Sequence, residues 1–455
     1  MCVILPSRAA RALVVVLIAF AAWVADAPVA LAQKGQLPVN APSAEDLESI
    51  KPPGLILEKA APDWFDSFTA FIDKKIARAE ELDIYGNTGQ LPEGIFGIKY
   101  TFRYLAANQR FLEDGQKTSL IPPISFRDGD GNELVNIDLN GKGSGTVHIF
   151  NFSVGLTDWI NPFLEIQFAD VRTTLEPTAS FGGALAGLGL EDYEDLVKLI
   201  NALGRPAPNE IFDTNGLEFE DIQTGVSTNW YHGPEWSLGN TFSMFFPTGG
   251  IADPNNDINF ALGPELDRGS GAYQLLFVSA ADFRPAFFGK RFVFSAECDY
   301  KYSFTYNRKT PSTFTAPNPV LKALLDAVGF ESSLFPDLTD IPPTFRWTPG
   351  QTVDLLGSVS VDLDWVGIGL QYGYSYGAET QIDSPSAEFV ELVKALELTG
   401  QSSSQGLSIT VAPNTLKVGL PFLLGVIYEY PIAGSNSIVF DPSVRVITQF
   451  FIPAW

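Results

Sequence analysis

Apolar and polar side chains alternate with a period of two along much of the chain. In the stretch RFVFSAECDYKYSFTYNRK, residues 291–309, the even positions from Phe292 to Tyr306 are aromatic, Ala or Cys. The odd positions from Arg291 to Thr305 are polar or charged, apart from Val293. Because successive side chains of a β-strand point to opposite faces, the alternation predicts a strand with one aromatic and one polar face. The pattern recurs at 94–105, 146–157, 352–363, 365–377 and 416–430.

Short connections between the predicted strands alternate with long ones. The short ones lie at 158–161, 232–234, 283–286, 362–364 and 413–415, and the long ones near 108–143, 177–217, 248–270, 307–349 and 379–405. These ten connections separate eleven strands, and the C-terminal strand makes twelve; the strands begin near residues 94, 144, 162, 218, 235, 271, 287, 351, 365, 406, 416 and 438. An even strand number, short periplasmic turns and long outer loops are typical of outer-membrane β-barrels.

Tryptophan and tyrosine separate toward opposite ends of the predicted strands. Five of the eight Trp residues stand beside the short turns or at the chain end, at positions Trp159, Trp230, Trp236, Trp365 and Trp455. Tyr residues gather at the other ends, at positions Tyr302, Tyr306, Tyr374, Tyr376, Tyr428 and Tyr430. Aromatic side chains also favour strands in general, but that preference does not explain the separation. The distribution indicates an aromatic girdle of Trp at one membrane interface, with Tyr at the opposite strand ends.

The composition of the polar faces distinguishes a barrel from a soluble β-sandwich. These faces carry mainly Gly, Ser, Thr and Gln with a few charges, which suits a crowded lumen better than a solvated surface. The predicted fold class is all-β, an antiparallel transmembrane β-barrel of about 12 strands. Three similar segments in the long loops predict short helices: LVKLINALG (196–204), LKALLDAVG (321–329) and LVKALELTG (392–400).

The chain before the first strand divides into two segments. Residues 1–32 have a basic start, an apolar run and a small-residue cleavage site, which predict a signal peptide and export. Residues 33–93 form a separate segment with a predicted helix from Pro62 to about Leu82. That helix is either a plug at the pore mouth or an ordinary amphipathic cap. The predicted barrel occupies residues 94–455.

Charge and cysteine content exclude several classes of protein. The chain has a formal net charge of −24, which argues against a nucleic-acid partner. After removal of the signal peptide only Cys298 remains, so an internal disulfide and a cysteine-based zinc site are excluded. Cys298 lies on the aromatic face, which we predict to meet lipid.

Four stretches resemble one bacterial outer-membrane family, the MetA-pathway phenol-degradation type transporters. They are GQLPEGIFGIKYTFRYLAANQRFLEDG (89–115), FNFSVGLTDWINPFLEI (150–166), SLGNTFSMFFPTGG (237–250) and LGPELDRGSGAY (262–273). The resemblance implies a pore, associated in some members with uptake of aromatic or other hydrophobic compounds. Two features depart from the family: the helical loop inserts are longer, and Gln449 and Pro453 share a face with Trp455 in the last strand.

Candidate chemistry outside a pore is sparse. His148 and His232 are the only histidines and have no recognisable ligand set, so structural roles are predicted, with no cofactor and no metal. The segment DGDGNELVNIDL (128–139) resembles a calcium loop, but Glu133 replaces the turn Gly and Leu139 the last ligand. We therefore interpret it as a turn, and calcium binding by the acidic loops stays open. The protein is predicted not to be an enzyme; alternatives are a barrel enzyme acting on lipid and an adhesive surface barrel.

The lumen is where function is expected. Ten charged residues on the polar faces are predicted to line it: Lys99, Arg103, Arg291, Glu297, Asp299, Lys301, Asp354, Asp362, Lys417 and Glu429. They either form cross-barrel pairs that stiffen the wall or provide an electrostatic path for a solute. The predicted function is a channel or transporter of the cell outer membrane for small, hydrophobic or aromatic molecules. Its predicted partners are outer-membrane lipid, the barrel-assembly machinery and the solute.

Overall fold

The computed structural model describes residues 89–453, apart from 121–123, 128–132, 139, 175, 177, 183–191, 196–197, 199–210, 214–216, 250–269, 290, 311–342, 397–399 and 416–421. The predicted signal peptide, the predicted helix at 62–82 and Trp455 lie outside the described residues. The described part belongs to the second of two units of the chain, Asp63–Trp455. Within it, no helix is long and apolar enough to cross a membrane.

Almost every segment with alternating apolar and polar residues forms a strand, as predicted. The strands are β1 (Ile95–Phe111), β2 (Lys117–Ser119), β3 (Ile124–Arg127), β4 (Glu133–Asp138), β5 (Lys142–Val154), β6 (Ile160–Thr174), β7 (Thr178–Phe181), β8 (Ile211–Asp213), β9 (Glu218–His232), β10 (Trp236–Phe246), β11 (Gln274–Phe283), β12 (Phe292–Ser303), β13 (Tyr306–Lys309), β14 (Thr344–Thr348), β15 (Thr352–Asp362), β16 (Val366–Gly377), β17 (Gln381–Asp383), β18 (Ser402–Pro413), β19 (Phe422–Ser435), β20 (Ser437–Phe440) and β21 (Ser443–Pro453). Helix α1 spans Ala387–Leu396, and one 3-10 turn spans Ala286–Phe288.

Twelve of these strands close into one antiparallel barrel. Around the wall they follow chain order: β1, β5, β6, β9, β10, β11, β12, β15, β16, β18, β19 and β21. The barrel closes because β1 pairs on one side with β5 and on the other with β21. Lys99, for example, is the register partner of both Asn151 and Gln449. The predicted twelve-stranded transmembrane barrel is confirmed.

The two faces of β12 lie as the alternation predicts. Its aromatic residues are turned outward, with Phe294 and Tyr300 each about two-fifths exposed, at 41% and 40%. Ser295 and Ser303, on the other face, are buried inside the barrel. Cys298 lies on the outward face and is exposed. An apolar exterior and a polar interior are the arrangement that a barrel needs in lipid.

Aromatic residues mark both ends of the barrel wall. Exposed Trp159, Trp230, Trp236 and Trp365 all lie beside short turns, while exposed Tyr428 and Tyr430 lie toward the long loops. Tyr306 differs from the expectation because β12 ends at Ser303. It belongs to β13 and packs against a loop core instead of the barrel wall.

The long loops build small structures of their own. Strands β13, β14 and β17 form a sheet whose buried side chains Phe345 and Trp347 pack against Phe389 and Val393 of α1. The hydroxyl of Ser386 caps α1 by accepting a hydrogen bond from the Phe389 N–H at 3.2 Å. Helix α1 confirms the predicted loop helix at 392–400, although it begins five residues earlier. The segment 321–329 lies outside the described residues, and only Lys198 of 196–204 lies within them.

A second loop sheet contains β3, β4 and β7. Residues 133–138 of the calcium-loop lookalike form β4, so this half of the segment is strand and not an ion-binding turn. The other half, at 128–132, lies outside the described residues. Across the part of the chain that is described, no group of three His, Cys, Asp or Glu could hold a metal ion.

Candidate functional site: the barrel lumen

A cavity of about 320 Å³ occupies the lumen near the short turns. Seven barrel strands and the segment before β1 contribute to its wall. Most of the lining side chains are polar but uncharged, which is what the small polar faces of the strands predicted. The uncharged polar residues are Gln90, Asn151, Ser153, Asn161, Gln223, Ser227, Thr241 and Gln449. The remaining lining residues are Gly89, Leu91, Lys99, Phe163, Glu165, Leu276 and Val278.

Residues Gly89–Pro92, here called the N-terminal strap, lie inside the barrel at this end. Leu91 is only 4% exposed and packs against the inward-facing Ile95, Phe451 and Leu423. The N–H of Ile95 donates to the Pro92 carbonyl at 3.1 Å, which turns the chain from the strap into β1. The strap therefore narrows the lumen. It contains four of the five described residues of the predicted 33–93 segment.

Two glycines leave room for the strap. A Cβ atom on Gly155 would stand 2.1 Å from the carbonyl oxygen of Pro92, and one on Gly97 would stand 2.8 Å from Cδ1 of Leu91. Such distances are far below van der Waals contact, so any side chain at Gly155 displaces the strap or the turn. The Gly155 carbonyl also accepts a hydrogen bond from the Gly94 N–H at 2.9 Å.

One wall of the lumen carries three cationic side chains on the adjacent strands β1 and β21. Arg103 and Arg445 are register partners, and both guanidinium groups bind the carboxylate of Glu429. The Arg103 Nη2 to Glu429 Oε2 distance is 2.9 Å, and Ser443 donates to Oε2 at 3.2 Å. Lys99 lies on the same face of β1, closer to the short turns. We call Lys99, Arg103 and Arg445 the basic wall.

Three carboxylates line another part of the lumen, on β12 and β15. Asp299 and Asp354 are register partners, and Glu297 precedes Asp299 on the same face of β12. Lys301 is the next inward residue on β12 and interacts electrostatically with Asp354. Within the described residues, one carboxylate oxygen of Asp299, Oδ1, is buried without a hydrogen-bond partner. We call Glu297, Asp299 and Asp354 the acidic wall.

Two of the ten predicted lumen residues have other surroundings, and a third is not among the described residues. Arg291 precedes β12 and is exposed at the rim, with its Nη2 3.5 Å from Asp364 Oδ2. Asp362 is the last residue of β15, and its Oδ1 accepts from the Asp364 N–H at 2.9 Å in the same short turn. Lys417 lies outside the described residues. At the same end, partial burial lowers the pKa of Arg284 to about 10, so this arginine stays cationic at neutral pH.

Sequence reasoning did not single out Arg445 or Glu165 as lumen residues. Arg445 lies four residues before the inward-facing Gln449 and therefore on the same face of the last strand. The alternation in that strand was enough to predict that Arg445 faces the lumen. Glu165 is the register partner of Asn151, whose Nδ2 donates to it at 3.1 Å; Gln167 donates at 2.8 Å. Its inward direction follows from the pairing of β5 with β6, a contact that no local pattern specifies.

Both histidines stand apart from the lumen. His148 faces outward, and its Nδ1 lies 2.8 Å from the Tyr100 hydroxyl, beside the ring of Phe102. His232 is the exposed last residue of β9, at a short turn. The structural roles predicted for them fit these positions. That the protein is not an enzyme stays a prediction.

Comparisons with known proteins find likeness in structure alone. No protein-family model and no curated protein matches the chain. An outer membrane channel from Pseudomonas putida F1 aligns over 81% of this chain and 98% of its own, at 12% identity and a TM-score of 0.48. The NanC porin gives 8% identity, coverage of 77% and 98%, and a TM-score of 0.32. The translocator domain of the autotransporter NalP from Neisseria meningitidis is 10% identical, aligns over 85% of this chain and 97% of its own, and gives a TM-score of 0.34. With TM-scores below 0.5, the fold assignment rests on the strand pairing itself.

Proposed function

We propose that the protein is a passive channel of the bacterial outer membrane for small polar molecules. The observation that supports this most is the cavity of about 320 Å³, enclosed by a closed barrel and lined mostly by polar side chains. Amide and hydroxyl groups replace part of the hydration of a polar solute without holding it tightly, as conduction requires. The apolar exterior and the two aromatic ends fit a barrel embedded in lipid.

The N-terminal strap sets the size of the passage in this proposal. Because Leu91 is buried against Phe451 and Leu423, the strap reduces the open cross-section near the short turns. A lumen narrowed in this way admits small solutes and excludes larger solutes built from several units, such as oligosaccharides. Export through the predicted signal peptide, with the short turns in the periplasm, belongs to the same proposal.

A hydrophobic or aromatic solute is the alternative that the resemblance to the MetA-pathway family implies. In the cavity, four apolar lining residues favour it: Leu91, Phe163, Leu276 and Val278. They are outnumbered by amide and hydroxyl side chains, so the lining favours a polar solute. Membership of that family stays a prediction.

Reconstitution of the full-length protein tests the proposal. Folded protein in planar bilayers is expected to give ion conductance, and in liposomes to give faster swelling in arabinose than in the trisaccharide raffinose. Faster flux of benzoate than of arabinose, after subtraction of protein-free liposomes, would favour the aromatic alternative. No conductance from protein that shows heat-modifiable gel mobility would refute the channel.

A further inference from the structure

The charged side chains of the lumen are unevenly distributed around the wall. Among the described residues, the basic wall of Lys99, Arg103 and Arg445 has two carboxylates near it: Glu429, which binds both arginines, and Glu165, which is two strands from Lys99 in the register. The acidic wall of Glu297, Asp299 and Asp354 has one cation beside it on the described part of β12, Lys301. Each wall therefore keeps an excess of its own sign.

The topology sets these two walls opposite each other. In the ring of twelve strands, β1 and β12 stand six strands apart in either direction. The cavity reaches both sides, because Lys99 lines it on β1 and Val278, the register partner of Asp299, lines it on β11. Lys99 and Glu297 are close enough to interact electrostatically across the lumen. They lie at similar heights, four residues into β1 and five residues into β12.

Charges that face each other across a confined passage create a transverse electric field. The field is stronger than in bulk water, because the wall is a low-dielectric medium and few water molecules fit between the charges. A monovalent ion is attracted by one wall and repelled by the other. A solute with separated positive and negative groups is attracted by both.

The acidic wall has unused capacity to bind a cationic group. Oδ1 of Asp299 is buried without a hydrogen-bond partner in the described part of the chain, and Asp354 is its neighbour on β15. A buried carboxylate oxygen without a donor is costly, and an ammonium group supplies three donors. Opposite it, the basic wall offers guanidinium and ammonium donors to a carboxylate.

We propose that the opposed walls select small zwitterions, molecules with one ammonium and one carboxylate group such as short amino acids. The ammonium group turns toward the acidic wall and the carboxylate toward the basic wall as the solute passes. Lys99, which lines the cavity, and Glu297, on the opposite side of the lumen, are the specificity-determining pair. The inference rests on the proposed channel function and names its substrate class.

Liposome swelling with two isomeric solutes tests this inference. β-Alanine is a zwitterion, and lactamide is an uncharged isomer of it. Through the wild-type protein, β-alanine is expected to enter about two- to fivefold faster than lactamide, relative to protein-free liposomes. The double variant Lys99→Gln/Glu297→Gln is expected to bring this ratio close to one. Arg346→Gln removes a cation from the exposed loop sheet, and it is the matched control that keeps the wild-type ratio.

A charge-swapped variant covers the case in which the neutral variant fails to fold. Lys99→Glu/Glu297→Lys retains both charges and is expected to keep the preference for β-alanine. A wild-type ratio near one, in protein that conducts ions, would overturn the selection of zwitterions but leave the channel intact. Absence of conductance would instead overturn the channel function. An unchanged ratio in a folded Lys99→Gln/Glu297→Gln variant would show that this pair does not select the solute.

Discussion

The carboxylate of Glu429 joins Arg103 and Arg445, two arginines that are register partners on the first and last strands of the barrel. The pairing matters because β1 and β21 form the seam that closes the wall. Without Glu429, two guanidinium groups would face each other across that seam.

Replacing Glu429 by Gln is therefore expected to destabilise the closed barrel. The side chain of Glu429 is only 17% exposed, so loss of its charge leaves two partly buried cations without a counter-ion. We expect a loss of about 1–3 kcal/mol in the free energy of unfolding, measured by heat-modifiable gel mobility in urea. Glu176→Gln breaks the exposed ion pair with Lys142 and is the control, with a change below about 0.5 kcal/mol. Equal stability of the two variants would mean that the seam does not depend on Glu429.

Leu91 is expected to hold the N-terminal strap in the lumen. Truncation to Ala removes packing against Phe451 and Leu423 and costs about 2–3 kcal/mol of local stability. We expect the strap to detach more often and the mean single-channel conductance to rise. Leu355→Ala, on the exposed outward face of β15, should leave the conductance unchanged. If Leu91→Ala conducts like the wild type, the strap does not narrow the passage.

Gly155 is expected to be intolerant of any side chain. Because a Cβ atom there would stand 2.1 Å from the Pro92 carbonyl oxygen, Gly155→Ala should move the strap or open the turn. A lower unfolding temperature and a higher conductance are the expected results. Gly357→Ala is the matched control, since a Cβ atom at Gly357 meets no atom within 4 Å. Normal behaviour of both variants would contradict the position of the strap.

Cys298 should report a hydrocarbon environment in the folded, membrane-embedded protein. It lies on the outward face of β12 between the exposed aromatic residues Phe294 and Tyr300. We expect slow reaction with a charged thiol reagent and fast reaction with a lipid-soluble maleimide. In a Cys298→Ser background, Thr241→Cys places a thiol in the cavity wall and should react quickly with the charged reagent. The opposite order of rates would reverse the assignment of the two faces.

Local patterns in the sequence determine a large part of this fold. A period of two is enough to place Phe294 outward and Glu297 inward, and the alternation of short and long connections is enough to count twelve strands. The pattern does not determine where a strand begins or ends. Arg291 continues the alternation of β12, yet it belongs to the turn before the strand and pairs at the rim with Asp364. Tyr306 likewise continues the alternation beyond Ser303 but enters a loop sheet.

Relationships across the barrel could not be derived from the sequence. Lys99 and Glu297 face each other only because the sheet closes after twelve strands, and no spacing along the chain encodes that distance. The inward path of the strap depends on the absence of side chains at Gly97 and Gly155. From the sequence alone, those glycines look like ordinary strand residues. Their role becomes apparent only once the position of the strap is known.

The pairing of β1 with β21 joins residues as distant in sequence as Ile95 and Pro453. Loop-closure entropy makes such long-range pairing slow, so the seam is a late event in the folding of the chain. Until it forms, both strands keep an open edge of unpaired backbone groups, which is a template for aggregation. Biogenesis of this protein thus contains a vulnerable interval that ends only when its last strand meets its first.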